Sequence, residues 1–138
     1  MIVLDTNVLS EEMKPAPAPE VHRWLLRQNA GDLFTTAISE AEILAGVAAL
    51  PDGRRKRELE AAARGIFALF SGRILAFDRP AAPHYADVLA ARRQAGRPID
   101  NLDAQIASIA RLHGFAVATR DGGGFELTGV ALVNPWQA

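Results

Sequence analysis

Apolar positions along the chain fall into short solid runs, separated by longer stretches in which they recur every three or four residues. Ile2-Val3-Leu4 stops abruptly at Asp5-Thr6-Asn7, as expected of a strand buried on both faces whose C-terminal end opens into a polar loop. Leu33 to Ala37, Arg73 to Phe77, Phe115 to Thr119 and Val130 to Val133 are further runs of this kind. Between them the spacing predicts a helix from an Asp52 N-cap through Leu59, Ala62, Ile66 and Leu69, stopped by Gly72. A second helix is expected from about Pro80 to Gly96. A third starts near Asp100, carries Leu102, Ile106 and Ile109 on one stripe, and stops at Gly114. The Pro/Ala stretch from Lys14 to Pro19 is too short to divide domains and reads as a loop leading into a helix with Val21, Trp24 and Leu25. Strands alternating with helices predict an α/β fold around a mostly parallel sheet, and 138 residues suit one domain spanning 1–138.

Composition narrows the chemistry more than the fold. Hydrophobic residues make up 49% and charged residues 22%, a mixture that buries a core. Cysteine is absent, which removes disulfides, thiolate zinc sites and cysteine nucleophiles together. His22, His84 and His113 include no pair at zinc-ligand spacing. A net charge of −1 gives no bulk attraction for nucleic acid, so any such binding must be local. The start lacks the basic stretch and long apolar run of a secretory signal, and no run reaches membrane-spanning length. A soluble cytoplasmic protein that makes no membrane contact is expected.

The informative feature is where the acids fall. Asp5 ends the first run, Glu42 lies in the first turn after the second, Asp103 sits in the first turn of the third predicted helix, and Asp121 follows Phe115 to Thr119. In a parallel sheet, strand C-termini and the helix N-termini that follow share one edge, so these residues can converge there. With no lysine nearby in sequence, a divalent cation would make such crowding tolerable, and oxygen-only ligands favour Mg²⁺ or Mn²⁺. Each acid also has a plainer reading. Ser39-Glu40-Ala41-Glu42 has the form of a capping box. Asp100 can cap a helix with Asp103 as its third residue. Asp5 can begin a helix, and Asp121-Gly122 can be a turn. Caps scattered through a chain have no reason to collect at one sheet edge, whereas a metal site requires it.

Taken in order, Ile2 to Ser10, Thr36 to Glu42, the run Gly96-Arg97-Pro98-Ile99 leading to Asp103-Ala104, and Ala118-Thr119-Arg120-Asp121 resemble the PIN-domain nucleases, in particular the VapC and FitB type of toxin from bacterial toxin–antitoxin pairs. The resemblance extends down to Gly129-Val130 and Asn134-Pro135-Trp136. It implies a PIN-like three-layer α/β/α fold with a five-stranded, mostly parallel sheet. It also implies Mg²⁺- or Mn²⁺-dependent cleavage of single-stranded RNA, a homodimer, and inhibition by a VapB/FitA-like antitoxin whose basic side chain enters the acidic pocket. Asp5, Glu42, Asp103 and Asp121 take the positions of the family's acidic tetrad, with Thr6 and Asn7 lining the same pocket. The chain departs from the pattern at Gly124-Phe125, where relatives often carry an acid before the phenylalanine, and Gly122-Gly123-Gly124 makes a pliable loop there.

The chemistry expected is metal-assisted phosphodiester hydrolysis, giving 5′-phosphate and 3′-hydroxyl ends without need of the 2′-OH. Asp5, Glu42 and Asp103 would hold one metal, and Asp121 would complete a second, weaker position or orient the water. Thr6 would bond a phosphate oxygen or metal-bound water, and Asn7 would fix the loop. Asp100 is read first as a helix cap and second as an outer partner of the metal. Glu40 and Glu42 point apart on a helix, so only one faces the pocket. Arg92, Arg93 and Arg97 are candidate phosphate contacts. Arg54-Arg55-Lys56-Arg57 reads as a solvated helix face paired with Glu58 and Glu60, or as a phosphate track. Trp24 and Trp136 are read as packing or interface residues. A phosphoryl-acceptor module is disfavoured, because Asp5-Thr6-Asn7 lacks the second acid of a phosphatase start. An alternative keeps the fold without the catalysis, as a binding partner in an antitoxin–DNA repressor complex.

Overall fold

In the computed structural model, which describes residues 1–138, the chain runs β1 (Ile2–Leu4), α1 (Thr6–Glu12), α2 (Pro19–Leu26), β2 (Leu33–Thr36), α3 (Ala37–Ala48), α4 (Arg54–Leu69), β3 (Ile74–Leu75), α5 (Ala82–Gln94), α6 (Asn101–His113), β4 (Ala116–Ala118), α7 (Gly122–Phe125) and β5 (Leu132–Val133). All four strand pairings are parallel, in the order β3-β2-β1-β4-β5. The sheet expected to be mostly parallel is therefore wholly so. The chain winds outward from β1 through β2 to β3, then returns to the other side of β1 for β4 and β5. Loops leaving β1 and β4 consequently diverge to opposite faces, and the crevice between them opens at the C-terminal edge of the sheet.

Alternation along the central strand divides the core into two layers. Leu4 packs with Val8, Leu9, Val21, Trp24, Phe67 and Phe70 on the face covered by α1, α2 and α4. Val3 packs with Val88, Ala104, Ile106, Ala107, Val117 and Phe125 on the face covered by α5, α6 and α7. One residue of strand separates the two sets, as a two-residue side-chain period requires. Trp24 is a core residue, as expected.

Several local expectations change. No loop follows Leu4: Asp5 caps α1 directly, accepting the Thr6 N–H at 2.8 Å. Gly53, not Asp52, occupies the N-cap of α4, and Asp52 instead meets Lys56 one turn on, at 3.4 Å. The helix also ends at Leu69, three residues before Gly72, which takes a φ of 78° in the turn beyond. Capping at α3 belongs to Thr36, whose Oγ1 accepts the Ser39 N–H at 3.1 Å, so Ser39 and Glu42 do not form a capping box. The edge strands β3 and β5 are shorter than their apolar runs, since each has a partner on one side only. The third predicted helix stands as read: Asp100 accepts from the N–H groups of Leu102 and Asp103, and Gly114 closes α6 in the left-handed region at φ 71°. Arg54 pairs with Glu58 at 2.8 Å, consistent with a solvated face on α4.

Ile106 is fully buried at the centre of the second layer. Ile106→Ala is expected to lower unfolding free energy by about 2–5 kcal/mol through lost burial and a residual cavity, whereas Leu44→Ala, at an exposed position of α3, leaves it nearly unchanged. Urea denaturation of the two variants checks the contrast.

Candidate active site

The crevice at the sheet edge is a pocket of about 470 Å³ whose lining includes Asp5, Thr6, Asn7, Glu42, Asp103 and Asp121. Four acids separated by as many as 116 residues, from Asp5 to Asp121, meet there because each stands at a strand end or a helix start on that edge. Asp5 follows β1 and Asp121 lies beyond β4; Asp103 is in the first turn of α6 and Glu42 in the second turn of α3. Asp100 is absent from the lining and serves as the α6 cap. Glu40 is absent as well, so Glu42 is the member of that pair facing the pocket.

The structural and site readings of these acids turn out to be compatible. Asp5 caps α1 and Asp121 caps α7, the latter accepting the Gly124 N–H at 3.1 Å, while both carboxylates border the pocket. An ionised carboxylate has about four lone-pair sites, so a cap uses only part of its capacity.

Hydroxyls hold Asp5 and Glu42 in place, and two of them, Thr119 and Ser39, are absent from the sequence-based set. Thr119, only 1% exposed, donates from Oγ1 to Asp5 Oδ2 at 2.8 Å and accepts from the Asp121 N–H at 3.0 Å and from Asn7 Nδ2 at 3.3 Å. One donor and two lone pairs are thereby used up. Asn7 also accepts the Arg120 N–H through Oδ1 at 3.3 Å, so it joins α1 to the segment after β4. On the other side, Thr6 Oγ1 lies 2.9 Å from both Glu42 Oε1 and Ser39 Oγ. A hydroxyl has one proton, so Thr6 donates to the carboxylate and accepts from the buried Ser39. Thr119 carried a sequence signal, as the first polar residue after an apolar run and two before an acid. Ser39 carries no such signal, because in sequence it reads as the first residue of a capping box.

Basic residues fall differently from expectation. Arg92 is 5% exposed and its guanidinium is committed to four backbone carbonyls, which removes it as a phosphate contact. Arg97 is engaged with Glu126 Oε2 at 2.7 Å and with the Gly123 carbonyl at 3.1 Å. Arg93 is exposed on α5. Lys14 does reach the pocket lining but pairs with the buried Glu11 at 3.0 Å. That pairing, with the Ala18 N–H, holds the Glu11 carboxyl below its ordinary range. Arg120 stacks over Trp136, 5.1 Å from its ring centre, and both line the pocket.

No member of the tetrad is in a salt bridge. The Asp5 carboxyl is raised by burial, against the lowering effect of the Thr119 and Thr6 hydrogen bonds, and Glu42 and Asp121 raise it further. Asp103 is pushed up to about 7 by burial and by the charges of Asp5, Asp100, Glu42 and Asp121. Its carboxylate accepts no hydrogen bond from the chain. A donor set made only of oxygen, without a cationic partner, suits a hard divalent cation. As the side chains stand, no three of them are placed to hold a metal ion together; they border a shared open space.

A PIN-domain family model matches residues 2–129. Toxin FitB of Neisseria gonorrhoeae is 43% identical over 137 residues, 99% of each chain. VapC ribonuclease Y4jK of Sinorhizobium fredii is 41% identical over 138 residues, again 99% of each. The crystal structure of FitAcB from Neisseria gonorrhoeae superposes with a TM-score of 0.93 at 42% identity, covering 100% of both chains. Other solved neighbours are VapBC assemblies, some bound to DNA.

The Asp103 carboxyl gives a pH signature with a defined sign. Between its ordinary value of 3.8 and about 7, the folded protein retains a proton that the unfolded chain has released. Stability therefore falls as pH rises through that window and levels off above it. In EDTA, the melting temperature is expected to decline from about pH 5 to about pH 8, and Asp103→Asn flattens the decline. A thermal-shift series across pH reads both.

Proposed function

The chain belongs to the PIN-domain family, and from that premise we propose that it is a divalent-metal-dependent endoribonuclease, the toxin of a toxin–antitoxin pair. The observation that carries this reading is the set of Asp5, Glu42, Asp103 and Asp121 in one pocket with no positive side chain paired to any of them. The relatives named as a toxin and a ribonuclease share about two-fifths of their residues with the chain over nearly their whole lengths, which supports the same activity here.

In this reading the four carboxylates hold Mg²⁺ or Mn²⁺. A cation held there would polarise a phosphoryl oxygen and lower the pKa of a water, the two effects that phosphodiester hydrolysis needs. Thr119 and the Thr6 N–H fix Asp5 in a single orientation, and the Ser39–Thr6 hydroxyl pair does the same for Glu42. Pre-set carboxylates lose little freedom when a polyanion arrives, so binding energy is not spent ordering them. Arg120 and Lys14 in the pocket lining supply the local positive charge that a net-negative protein needs to receive an RNA backbone.

The protein acts as a homodimer whose partner is a VapB/FitA-like antitoxin that places a basic side chain among the carboxylates. No helix is long and apolar enough to cross a membrane, consistent with an encounter between toxin, antitoxin and RNA in the cytoplasm.

Asp5→Asn is expected to cut RNA cleavage by about 100-fold or more, since loss of even an outer partner of a metal reaches that range. The fold should stay intact. Single-stranded RNA incubated with Mn²⁺ gives products ending in 5′-phosphate and 3′-hydroxyl, and a 2′-deoxy sugar at the scissile position is still cut. EDTA abolishes the reaction. Wild-type rates from Asp5→Asn would overturn the assignment, and Mn²⁺ binding without cleavage would favour a repressor-complex partner instead.

A further inference from the structure

The arginine that sequence reasoning offered to phosphate has a different task. We infer that Arg92 is a positioning residue that joins the segment leading into α6, whose first turn carries Asp103, to α7, which Asp121 caps, so that the placement of these two acids depends on one buried guanidinium. The link to metal binding rests on the function proposed above; the positional claim does not.

Arg92 projects from α5 into a space where it is 5% exposed and meets no carboxylate. Its Nε donates to the Arg97 carbonyl at 2.7 Å and its Nη2 to the Pro98 carbonyl at 3.1 Å. Its Nη1 donates to the carbonyls of Gly123 at 3.0 Å and Glu126 at 2.8 Å. The first two belong to the segment that leads into α6, and the last two to α7 and its C-cap. A guanidinium stays charged at any working pH and presents donors in a rigid planar fork. Sinking that charge among neutral carbonyls costs desolvation that an apolar residue of similar volume would avoid. What an apolar residue lacks is the fork, which fixes both segments at once.

Each segment delivers an acid within a few residues of its bonded carbonyl. Two residues after Pro98, Asp100 caps α6 and sets the start of the helix whose first turn carries Asp103. Two residues before Gly123 is Asp121, whose carboxylate closes α7 through the Gly124 N–H. The segments abut at the pocket: a Cβ on Gly124 would meet Asp121 Oδ2 at 2.6 Å and Asp103 Oδ2 at 3.5 Å. Within the triple glycine, Gly124 is the one crowded position, and the Gly123 carbonyl accepts from both Arg92 and Arg97. Arg97 adds a second bridge between the same segments, through Gly123 and Glu126. By contrast, Asp5 and Glu42 are held by hydroxyls at the strand ends, and a single bond, from the Asp121 N–H to Thr119, ties the Asp121 backbone to that group.

Amide hydrogen exchange on the full chain in EDTA, read residue by residue, separates a local clamp from general stabilisation. In Arg92→Lys and in the surface variant Arg97→Gln, exchange at Ala104, Gly124 and Glu126 is expected to quicken at least about tenfold relative to Thr6 and Ser39. Arg92→Met should show the larger effect; if it does not fold, the other two variants still decide. The dissociation constant for Mn²⁺, measured calorimetrically per folded molecule, should rise about tenfold in Arg92→Lys. Uniform acceleration at all five amides, or none, would overturn the inference, as would unchanged Mn²⁺ affinity in a variant whose α7 amides have loosened. Failure of the wild type to bind Mn²⁺ would count against the metal reading alone, because the exchange comparison decides the role of Arg92 without it.

Discussion

Repulsion among carboxylates at one edge of a sheet is the constraint around which the rest of this protein is arranged. A parallel sheet wound outward from its middle strand leaves a crevice where the connections part, and here Asp5, Glu42, Asp103 and Asp121 line it. Left alone, such a group relaxes either by moving apart or by taking up protons. The structure resists the first, through caps and hydroxyl bonds that tether three of the four, and registers the second in the raised Asp5 and Asp103 carboxyls. The repulsion is confined to the place where a cation would relieve it.

Two kinds of support surround the acids, and their chemistry differs for a reason. Near the strand ends, where backbone positions are already fixed by the sheet, short hydroxyl side chains suffice to aim a carboxylate. Farther out, Asp103 and Asp121 depend on segments with no sheet pairing of their own, and there a long side chain with several donors gathers backbone carbonyls. The rigidity that the sheet provides on one side is supplied by arginine on the other. The general point is that a buried cation close to an acidic site need not neutralise it; Arg92 makes no contact with any carboxylate.

Much of this was readable from the chain because the strongest signals are one-dimensional. Solid apolar runs located all five strands, and a cap, a stripe and a terminal glycine located α6 at both ends. The acids could be collected because strand ends and helix starts share an edge whatever the details of packing. What escaped was decided by contacts between remote residues. Nothing local distinguishes Thr36 from Ser39 as the cap of α3 until Thr6 claims Ser39 from across the pocket. Arg92 and Arg93 are adjacent and alike in sequence, yet one is buried and the other exposed, because helix phase alone turns Arg92 toward the carbonyls after β4. Three glycines in a row read as slack, and no local pattern announces that the carbonyl of the middle one is claimed by both Arg92 and Arg97.

A divalent cation entering this crevice has to displace protons that the crowded carboxylates retain. Mn²⁺ titrated into the protein at about pH 6.5, with heat and proton release followed together, measures this. Saturable uptake accompanied by proton release, the latter diminished in Asp103→Asn, is the result predicted. Absence of uptake, or uptake that leaves the proton balance untouched, would contradict it.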